Sequence, residues 1–183
     1  MHRTNRNKYK NMIIVLIGYM GSGKSSIGKK LSKKLRCNLI DLDDFIVEKE
    51  KASVKEIFAT KGEIYFRKKE EAYLKELLTL DNDTILSLGG GTPCFGNNMQ
   101  YVLEAKNTKT IYLKSSVKNL TDKLFLKKSK RPLIAAIETK EALAEFIGKH
   151  LFERSPYYSQ AAHHVATDNK SKKEVVAEVL SLL

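Results

Sequence analysis

The residues from Gly18 to Ser25 form a motif that could bind phosphate. They match the pattern G-x-x-x-x-G-K-[ST] in full and directly follow an apolar run of strand length. Glycines let backbone N–H groups close around phosphates at the start of a helix, Lys24 can reach the terminal phosphates, and the Ser25 hydroxyl can ligate Mg²⁺. The position of the motif argues against a chance glycine-rich turn. The residues predicted to contact nucleotide phosphates are Gly21, Ser22, Gly23, Lys24, Ser25 and Ser26.

Two carboxylates, Asp41 and Asp43, follow the next apolar run. An i, i+2 pair points to one side if the chain stays extended, and the end of a parallel strand is where open α/β sheets bind ligands. One aspartate could hold Mg²⁺ through water while the other accepts a proton from a substrate hydroxyl. In the alternative interpretation, Asp43 or Asp44 caps the following helix.

Arg67 and Glu70 lie three residues apart in a helical segment and therefore share one face. A surface ion pair is the ordinary interpretation of such a pair. Further along, Gly89, Gly90 and Gly91 form a second glycine run after a strand. That run either lets the backbone approach a ligand closely or forms a flexible turn.

The charged stretch from Lys127 to Leu133 has little periodicity and separates two helical segments. It is either a solvated loop or a mobile lid, near residues 127–137, that brings Arg131 onto a transferring phosphate. Arg154 precedes Pro156 and Tyr158 near a predicted helix end.

Apolar runs and helical periodicity alternate along the chain and predict the elements that position these residues. The predicted strands are Met12–Ile17, Asn38–Asp41, Thr84–Leu88, Thr110–Leu113 and His164–Thr167. The predicted helices are Ser25–Leu35, Asp43–Glu50, Val54–Thr60, Glu63–Leu78, segments near 116–126 and 140–153, and Ser171–Leu182. Such alternation indicates the α/β class, with a parallel sheet of about five strands covered by helices on both faces.

The length of 183 residues and 42% hydrophobic composition fit one compact domain over residues 12–183, preceded by a basic tail at residues 1–11 that we expect to be mobile. No apolar run approaches the roughly 20 residues that cross a bilayer. We therefore expect a cytoplasmic protein without membrane contact. The cysteines and histidines suggest no disulfide framework and no metal site. Cys37 and Cys94 are too few for a disulfide framework and are predicted to be buried reduced thiols. The neighbours His163 and His164 would face opposite sides of a strand and could not chelate one ion together.

A net charge of +12 suggests nucleic-acid binding, but the residue types favour a solvated, lysine-rich surface. Lysines are scattered over nearly every predicted helix, without the aromatic residues of a stacking platform. Arginine is rare among the 33 basic residues and is therefore informative, because it offers a planar fork for carboxylates and phosphates. The six arginines are Arg3, Arg6, Arg36, Arg67, Arg131 and Arg154.

The motifs occur in an order that resembles the shikimate kinase family. The resemblance runs from about residue 13 to 170 and rests on the Gly18–Ser25 loop, Asp41-x-Asp43, Phe66-Arg67 with Glu70, Gly89–Gly91, Arg131-Pro132-Leu133 and Arg154-x-Pro156-x-Tyr158. It implies a P-loop kinase three-layer sandwich that transfers the γ-phosphate of MgATP to the 3-hydroxyl of shikimate, in the route to chorismate and the aromatic amino acids. Shikimate and ATP would be its partners, and we expect a monomer that binds no nucleic acid.

The resemblance also implies roles for single residues. Arg67 and Arg154 would grip the shikimate carboxylate, with Glu70 orienting Arg67. Asp43, the candidate base, and the glycine run around Gly90 would contact the shikimate hydroxyls. Asp41 and Ser25 would serve Mg²⁺, and Lys24 and Arg131 would serve the phosphates and catalysis. The alternatives are another small-molecule P-loop kinase, such as a gluconate or nucleotide kinase, and a basic nucleic-acid-binding ATPase.

Overall fold

The computed structural model describes residues 11–128 and 131–183, so residues 1–10 of the predicted tail and residues 129 and 130 of the predicted lid lie outside it. Within the described residues, five strands form one parallel sheet in the order β2-β3-β1-β4-β5. The strands are β1 (Ile13–Ile17), β2 (Asn38–Asp41), β3 (Thr84–Ser87), β4 (Thr108–Lys114) and β5 (His163–Ala166). The predicted α/β class is confirmed.

Helices connect the strands and cover both faces of the sheet. They are α1 (Lys24–Leu35), α2 (Leu42–Glu50), α3 (Val54–Leu78), α4 (Asn98–Glu104), α5 (Val117–Phe125), α6 (Pro132–Ala135), α7 (Lys140–Tyr158) and α8 (Lys172–Ser181), with a 3₁₀ turn at Thr92–Cys94. None of the helices in the described part of the chain is both long and apolar enough to span a membrane.

Alternation along β1 creates two cores. Val15 packs into the larger core with apolar side chains of α2, α3, α4, α5 and α7, whereas its neighbours Ile14 and Leu16 pack with α1 and α8 on the other face. All five residues of β1 are buried. The central strand therefore holds the loop that follows it, from Gly18 onward, in a fixed place at the carboxyl edge of the sheet.

Two helices extend beyond their predicted bounds. The predicted segments 54–60 and 63–78 are one helix, α3, with a kink at Gly62, whose φ of 80° and ψ of 171° are not helical. Helix α7 continues past Arg154 and through Pro156 to Tyr158. A proline in the last turn removes a single hydrogen bond from its own nitrogen, so Arg154 lies inside the helix rather than at its end.

The cysteines and histidines have ordinary surroundings. Cys37 and Cys94 are free thiols, as expected, but they are half-buried rather than fully buried. His164 lies on β5, where its ring packs edge-on against Tyr112 and its Nε2 lies 3.2 Å from the carbonyl oxygen of Ser159.

Candidate active site

The loop between β1 and α1 has a backbone that requires glycine. Gly18 and Gly23 have φ values of 151° and 104°, and a Cβ on Gly18 would lie 2.8 Å from the carbonyl oxygen of Leu113. Gly23 stands at the N-cap of α1. Because the first N–H groups of a helix have no partner within it and the helix dipole is positive there, this end of α1 suits an anion.

Lys24 folds back over this loop. Its Nζ donates to the carbonyl oxygens of Gly18 at 2.6 Å and Tyr19 at 3.1 Å. Burial lowers the pKa of Lys24 to about 8, Asp41 and Asp43 oppose this shift, and Arg131 adds to it. The ammonium group therefore lies among carboxylates at the phosphate loop, where an added phosphate would favour its charged form.

A cavity of about 450 Å³ opens at this edge of the sheet and brings most of the predicted residues together. The predicted residues that line it are Gly21, Gly23, Lys24, Ser25, Ser26, Asp41, Asp43, Gly89, Gly90 and Arg131. Ser22 is buried beneath the loop instead. Lys127, from the predicted lid, also lines the cavity, together with Lys123, which was not singled out from the sequence because lysine is common throughout the chain.

Asp41 and Asp43 do not continue one strand, so the predicted extended pair is wrong. Asp41 ends β2 and is itself the N-cap of α2, because its Oδ1 accepts the backbone N–H of Asp43 at 3.1 Å. Neither Asp43 nor Asp44 is the cap. The helix begins at Leu42, and this places the Asp43 carboxylate against Gly89 in the first turn.

Asp43 has the environment of a group that can exchange a proton near neutral pH. Burial and, after it, the negative charges of Asp41, Glu70 and Asp44 together raise its pKa to about 6, against the opposing charge of Lys24. A carboxylate in this range can accept a proton from an alcohol more readily than an ordinary aspartate.

Arg67 pairs with the buried Glu70 and, through Nε and Nη2, with the exposed Glu63, while its own side chain is 24% exposed. The surface-pair interpretation is therefore wrong for Glu70. Arg67 Nη1 donates to Glu70 Oε2 at 3.0 Å, and Glu70 is 1% exposed. The second oxygen of Glu70 accepts the Thr92 hydroxyl at 2.6 Å, and the Thr92 carbonyl accepts from Asn98 at 2.9 Å. Sequence reasoning missed Thr92 and Asn98, since neither belongs to a local pattern that includes Glu70.

Arg67 and Arg154 belong to different helices, and the charges of both act on the thiol of Cys94. Burial raises the pKa of this thiol to about 11, and the positive charges of Arg154 and then Arg67 oppose that shift. Arg67 lies against the glycine run, because its Nη1 is 3.6 Å from the place a Cβ on Gly91 would occupy. Arg154 also lies 5.6 Å from the centre of the Tyr19 ring. Two planar cations beside the glycine run suit a carboxylate ligand.

The glycine run is tied to α7 by Tyr158, whose hydroxyl donates to the carbonyl oxygen of Gly90. Tyr158 is fully buried, and burial raises its pKa. Gly90 also packs against the phosphate loop, since a Cβ there would lie 3.2 Å from the backbone nitrogen of Met20. The run is therefore a close contact between the two halves of the site rather than a flexible turn.

The oxygen atoms at the base of the cavity suit Mg²⁺. Ser25 and Asp41 line the cavity together with Ser87, which pairs with Asp41 in the sheet register. The Ser87 hydroxyl is buried and has no hydrogen-bond partner among the described residues. Carboxylate and hydroxyl oxygens are the donors that Mg²⁺ prefers, usually with water and substrate phosphate completing the shell.

The lid prediction concerns residues near 127–137, of which the structure describes 127, 128 and 131–137. Among the described residues of this segment, Pro132–Ala135 form α6 and Ile134 is fully buried in the larger core, so this part is not a solvated loop. Lys128 Nζ donates to the carbonyl oxygen of Ile137 at 2.6 Å. Arg131 lines the cavity, as predicted.

Comparison with known proteins identifies relatives along nearly the whole chain. The family model described as shikimate kinase matches residues 20–183. A shikimate kinase of Flavobacterium johnsoniae is 48% identical over 170 residues, which are 93% of this chain and 98% of that protein. A shikimate kinase of Phocaeicola vulgatus is 39% identical over 92% of this chain and 95% of its own.

Solved structures show the same likeness in three dimensions. Shikimate kinase from Bacteroides thetaiotaomicron superposes with a TM-score of 0.84 at 33% identity, covering 93% of this chain and 97% of that one. Shikimate kinase from Acinetobacter baumannii in complex with shikimate gives 0.83 at 26% identity, covering 97% and 96%. A gluconokinase from Sinorhizobium meliloti gives 0.59 at 16% identity over 95% and 92%, a likeness of fold alone. The chain belongs to the shikimate kinase family.

Proposed function

We propose that this enzyme transfers the γ-phosphate of MgATP to the 3-hydroxyl of shikimate, giving shikimate 3-phosphate and ADP. The observation that carries the proposal is the placement of Arg67 against Gly91 and of Arg154 near the Tyr19 ring, beside a phosphate-loop cavity that Lys24, Asp43 and Gly90 line. Two guanidinium groups favour an anionic acceptor over a neutral one, because charge-assisted hydrogen bonds are the stronger ones. A carboxylate acceptor can receive charge-assisted hydrogen bonds from both arginines, and at Arg67 it would take the place of the exposed Glu63, which Nε and Nη2 contact in this structure.

On the nucleotide side, the N–H groups at the start of α1 hold the phosphates, with Gly21, Ser22, Gly23 and Ser26 shaping the loop. Lys24 and Arg131 approach the γ-phosphate and stabilise the charge on its oxygens during transfer. Ser25 and Asp41 hold Mg²⁺, Asp41 through water. Bound there, Mg²⁺ would neutralise charge on the phosphate oxygens.

On the acceptor side, Arg67 and Arg154 bind the carboxylate, and Glu70 holds Arg67 in place. The Asp43 carboxylate and the backbone of Gly89–Gly91 contact the hydroxyls. As the 3-hydroxyl oxygen bonds to the γ-phosphorus, Asp43 accepts its proton and the bond from that phosphorus to the ADP oxygen breaks. Positioning and charge neutralisation supply most of the rate enhancement.

A coupled assay of ADP release tests the proposal with shikimate, gluconate and nucleoside monophosphates as acceptors, and with RNA as a possible activator. We expect turnover with shikimate alone. Turnover with gluconate or a nucleotide would support another P-loop kinase activity, and stimulation by RNA that falls steeply with salt would support the nucleic-acid-binding ATPase.

The Lys24→Met variant is the control for the site. Because it removes a preorganised cation from the phosphate loop, turnover should fall by at least ~10²-fold. Normal turnover in this variant would place the activity elsewhere. The monomeric state, the cytoplasmic location and the absence of nucleic-acid binding remain predictions from the sequence; size-exclusion chromatography with light scattering measures the first.

A further inference from the structure

Glu50, the last residue of α2, is a nearly buried carboxylate with four hydrogen-bond donors from α3. One oxygen accepts the Tyr65 hydroxyl at 2.6 Å and Lys61 Nζ at 3.2 Å. The other accepts the Tyr73 hydroxyl at 2.7 Å and lies 3.2 Å from Lys69 Nζ. The Glu50 side chain is 6% exposed, and these donors hold its pKa at about 2. A buried charge is costly unless it is paired in this way, so the cluster fixes where α2 and α3 meet.

These donors lie on both sides of the kink in α3. Lys61 precedes Gly62 and Tyr65 follows it, and the Lys61 ammonium also lies 3.3 Å from the Tyr65 hydroxyl. Nothing lies within 4 Å of the place a Cβ would occupy on Gly62. The helical backbone conformation is interrupted at Gly62, so the angle between the two segments depends on contacts made elsewhere. Glu50 spans the joint by accepting from both segments.

The same joint shapes one side of the surroundings of Arg67, whose ion-pair partners Glu63 and Glu70 both follow the kink. Its guanidinium carbon lies 6.0 Å from the Phe58 ring, which precedes the kink, and 5.3 Å from the Phe66 ring, which follows it. The two rings are 4.8 Å apart, and Phe95 stacks on the guanidinium at 3.5 Å. A change in the kink angle would separate Phe58 from Phe66 and release one side of Arg67.

Helix α3 contacts Glu50 with one face and carries Arg67 on the opposite face. Lys61, Tyr65, Lys69 and Tyr73 follow each other at steps of four residues and form one stripe toward Glu50. Arg67 is two residues from Tyr65 and therefore points away from that stripe. An effect of Glu50 on the acceptor must pass through the helix rather than through direct contact.

We propose that Glu50 is a positioning residue for acceptor binding, which joins Lys61 and Tyr65 across the kink and thereby holds Phe58 and Phe66 around Arg67. The proposal rests on the role assigned above to Arg67 as a ligand of the shikimate carboxylate. It adds a residue that touches neither substrate.

The test is steady-state kinetics of Glu50→Gln, which keeps the size but loses the charge that holds both lysines. We expect the KM for shikimate to rise about tenfold, below the roughly 10²-fold that a misplacement of 1 Å can cost, with the KM for MgATP unchanged. Tyr65→Phe removes one donor and should shift the same KM in the same direction by less. It keeps the proposal testable if Glu50→Gln folds poorly.

Glu76→Gln is the matched control. Glu76 Oε1 lies 3.0 Å from Lys49 Nζ and so also links α3 to α2, but both side chains are about half exposed and remote from the kink. This variant should leave the shikimate KM unchanged. If Glu50→Gln and Tyr65→Phe lower the melting temperature but leave the shikimate KM at the wild-type value, Glu50 is structural only and the proposal is wrong.

A double variant separates this proposal from the proposed function. In an Arg67→Lys background, Glu50→Gln should add little to the shikimate KM, because both changes act on one contact. Fully additive effects would overturn the path through Arg67. If Arg67→Lys alone does not raise the shikimate KM, the assignment of Arg67 to the acceptor is wrong, whatever Glu50 does.

Discussion

At the residue scale, the start of α2 gives two neighbouring aspartates different tasks. Asp41 ends a strand and uses one oxygen to cap the helix, while Asp43 lies in the first turn with a raised pKa. An Asn at position 41 would still cap α2, because asparagine and aspartate are equally good N-caps. The two positions can therefore be compared without disturbing the helix.

For Asp43→Asn we expect kcat to fall more than the affinity for MgATP, because the amide cannot take a proton. In the wild type, kcat/KM should fall as pH decreases through about 6, where Asp43 becomes protonated, and this acid limb should be missing from the variant. Asp41→Asn should mainly raise the Mg²⁺ concentration needed for half-maximal rate. The reverse pattern in the two variants would contradict this division of roles.

Arg67 and Arg154 should not be replaceable by lysine. A charged hydrogen bond contributes roughly 1.5–3 kcal/mol, and a lysine loses the fixed alignment of the planar fork. Losing one such bond predicts roughly 10- to 150-fold weaker shikimate binding at 1.4 kcal/mol per tenfold, with ADP affinity little changed. Calorimetric titration of Arg67→Lys and Arg154→Lys measures both.

The exposed Arg36 at the end of α1 is the control position, and Arg36→Lys should bind shikimate like the wild type. A shikimate analogue with its carboxylate reduced to an alcohol should bind the wild type poorly and lose little more in either site variant. Equal binding of shikimate by wild type and lysine variants would mean that another acceptor is used.

At the scale of elements, the segment around α6 combines a buried anchor with exposed apolar side chains. Ile134 is fully buried, whereas Leu126 and Leu133 are 83% and 67% exposed. Arg131 lies between those two leucines and lines the phosphate cavity. We therefore expect the described residues before Ile134 to have little buried area that holds them closed until phosphates neutralise the cations.

We expect amide hydrogen exchange in peptides that cover residues 127–133 to slow markedly when ADP and shikimate are added together. Peptides that begin at Ile134 should change less, since that part is already packed into the core. Exchange is followed by mass spectrometry with and without ligands, and residues 176–181 of α8, which do not line the cavity, serve as internal reference. Equal exchange at 127–133 in both conditions would exclude a closing lid.

The sequence predicts those elements that neighbouring residues determine, and it does not predict those that depend on contacts between distant residues. The loop from Gly18 to Ser25 and the strand before it follow from neighbouring residues, and the structure has them where they were expected. The bond from Thr92 to Glu70 joins residues 22 apart and could not be read from either segment. The course of α7 through Pro156 depends on burial of Tyr158 against the glycine run, which is a tertiary contact.

At the scale of the whole molecule, the cavity lies where three connections leave the sheet at its carboxyl edge. β1 leads to Lys24, β2 to Asp43, and β3 to the glycine run, so packing on both faces of the sheet fixes the distances among them. This arrangement holds the ammonium and carboxylate groups in place before any ligand arrives. These charges are less well solvated than in the unfolded chain. The arrangement should therefore lower the free energy of unfolding of the ligand-free protein.

The pH dependence of the free energy of unfolding tests whether the charge of Asp43 destabilises the fold. The folded-state pKa of Asp43 is raised to about 6, above the roughly 3.9 of an unfolded aspartate, so this group stabilises the fold when protonated. Its contribution is full below the unfolded pKa and is lost as pH rises through about 6. Since Asp43 is only half-buried, solvent screening reduces the effect to about 1–2 kcal/mol.

Without ligands at pH 8, Asp43→Asn should therefore be more stable than the wild type by about 1–2 kcal/mol, or about 2–8 °C in melting temperature. The difference should shrink as the pH falls from about 6 to 4, because the wild-type carboxyl becomes protonated and neutral like the amide. Thermal melts of both proteins across this range measure it, with Asp44→Asn, an exposed residue in the same turn, as the control. A wild type as stable as Asp43→Asn at pH 8 would mean that the site holds its charges without cost to the fold.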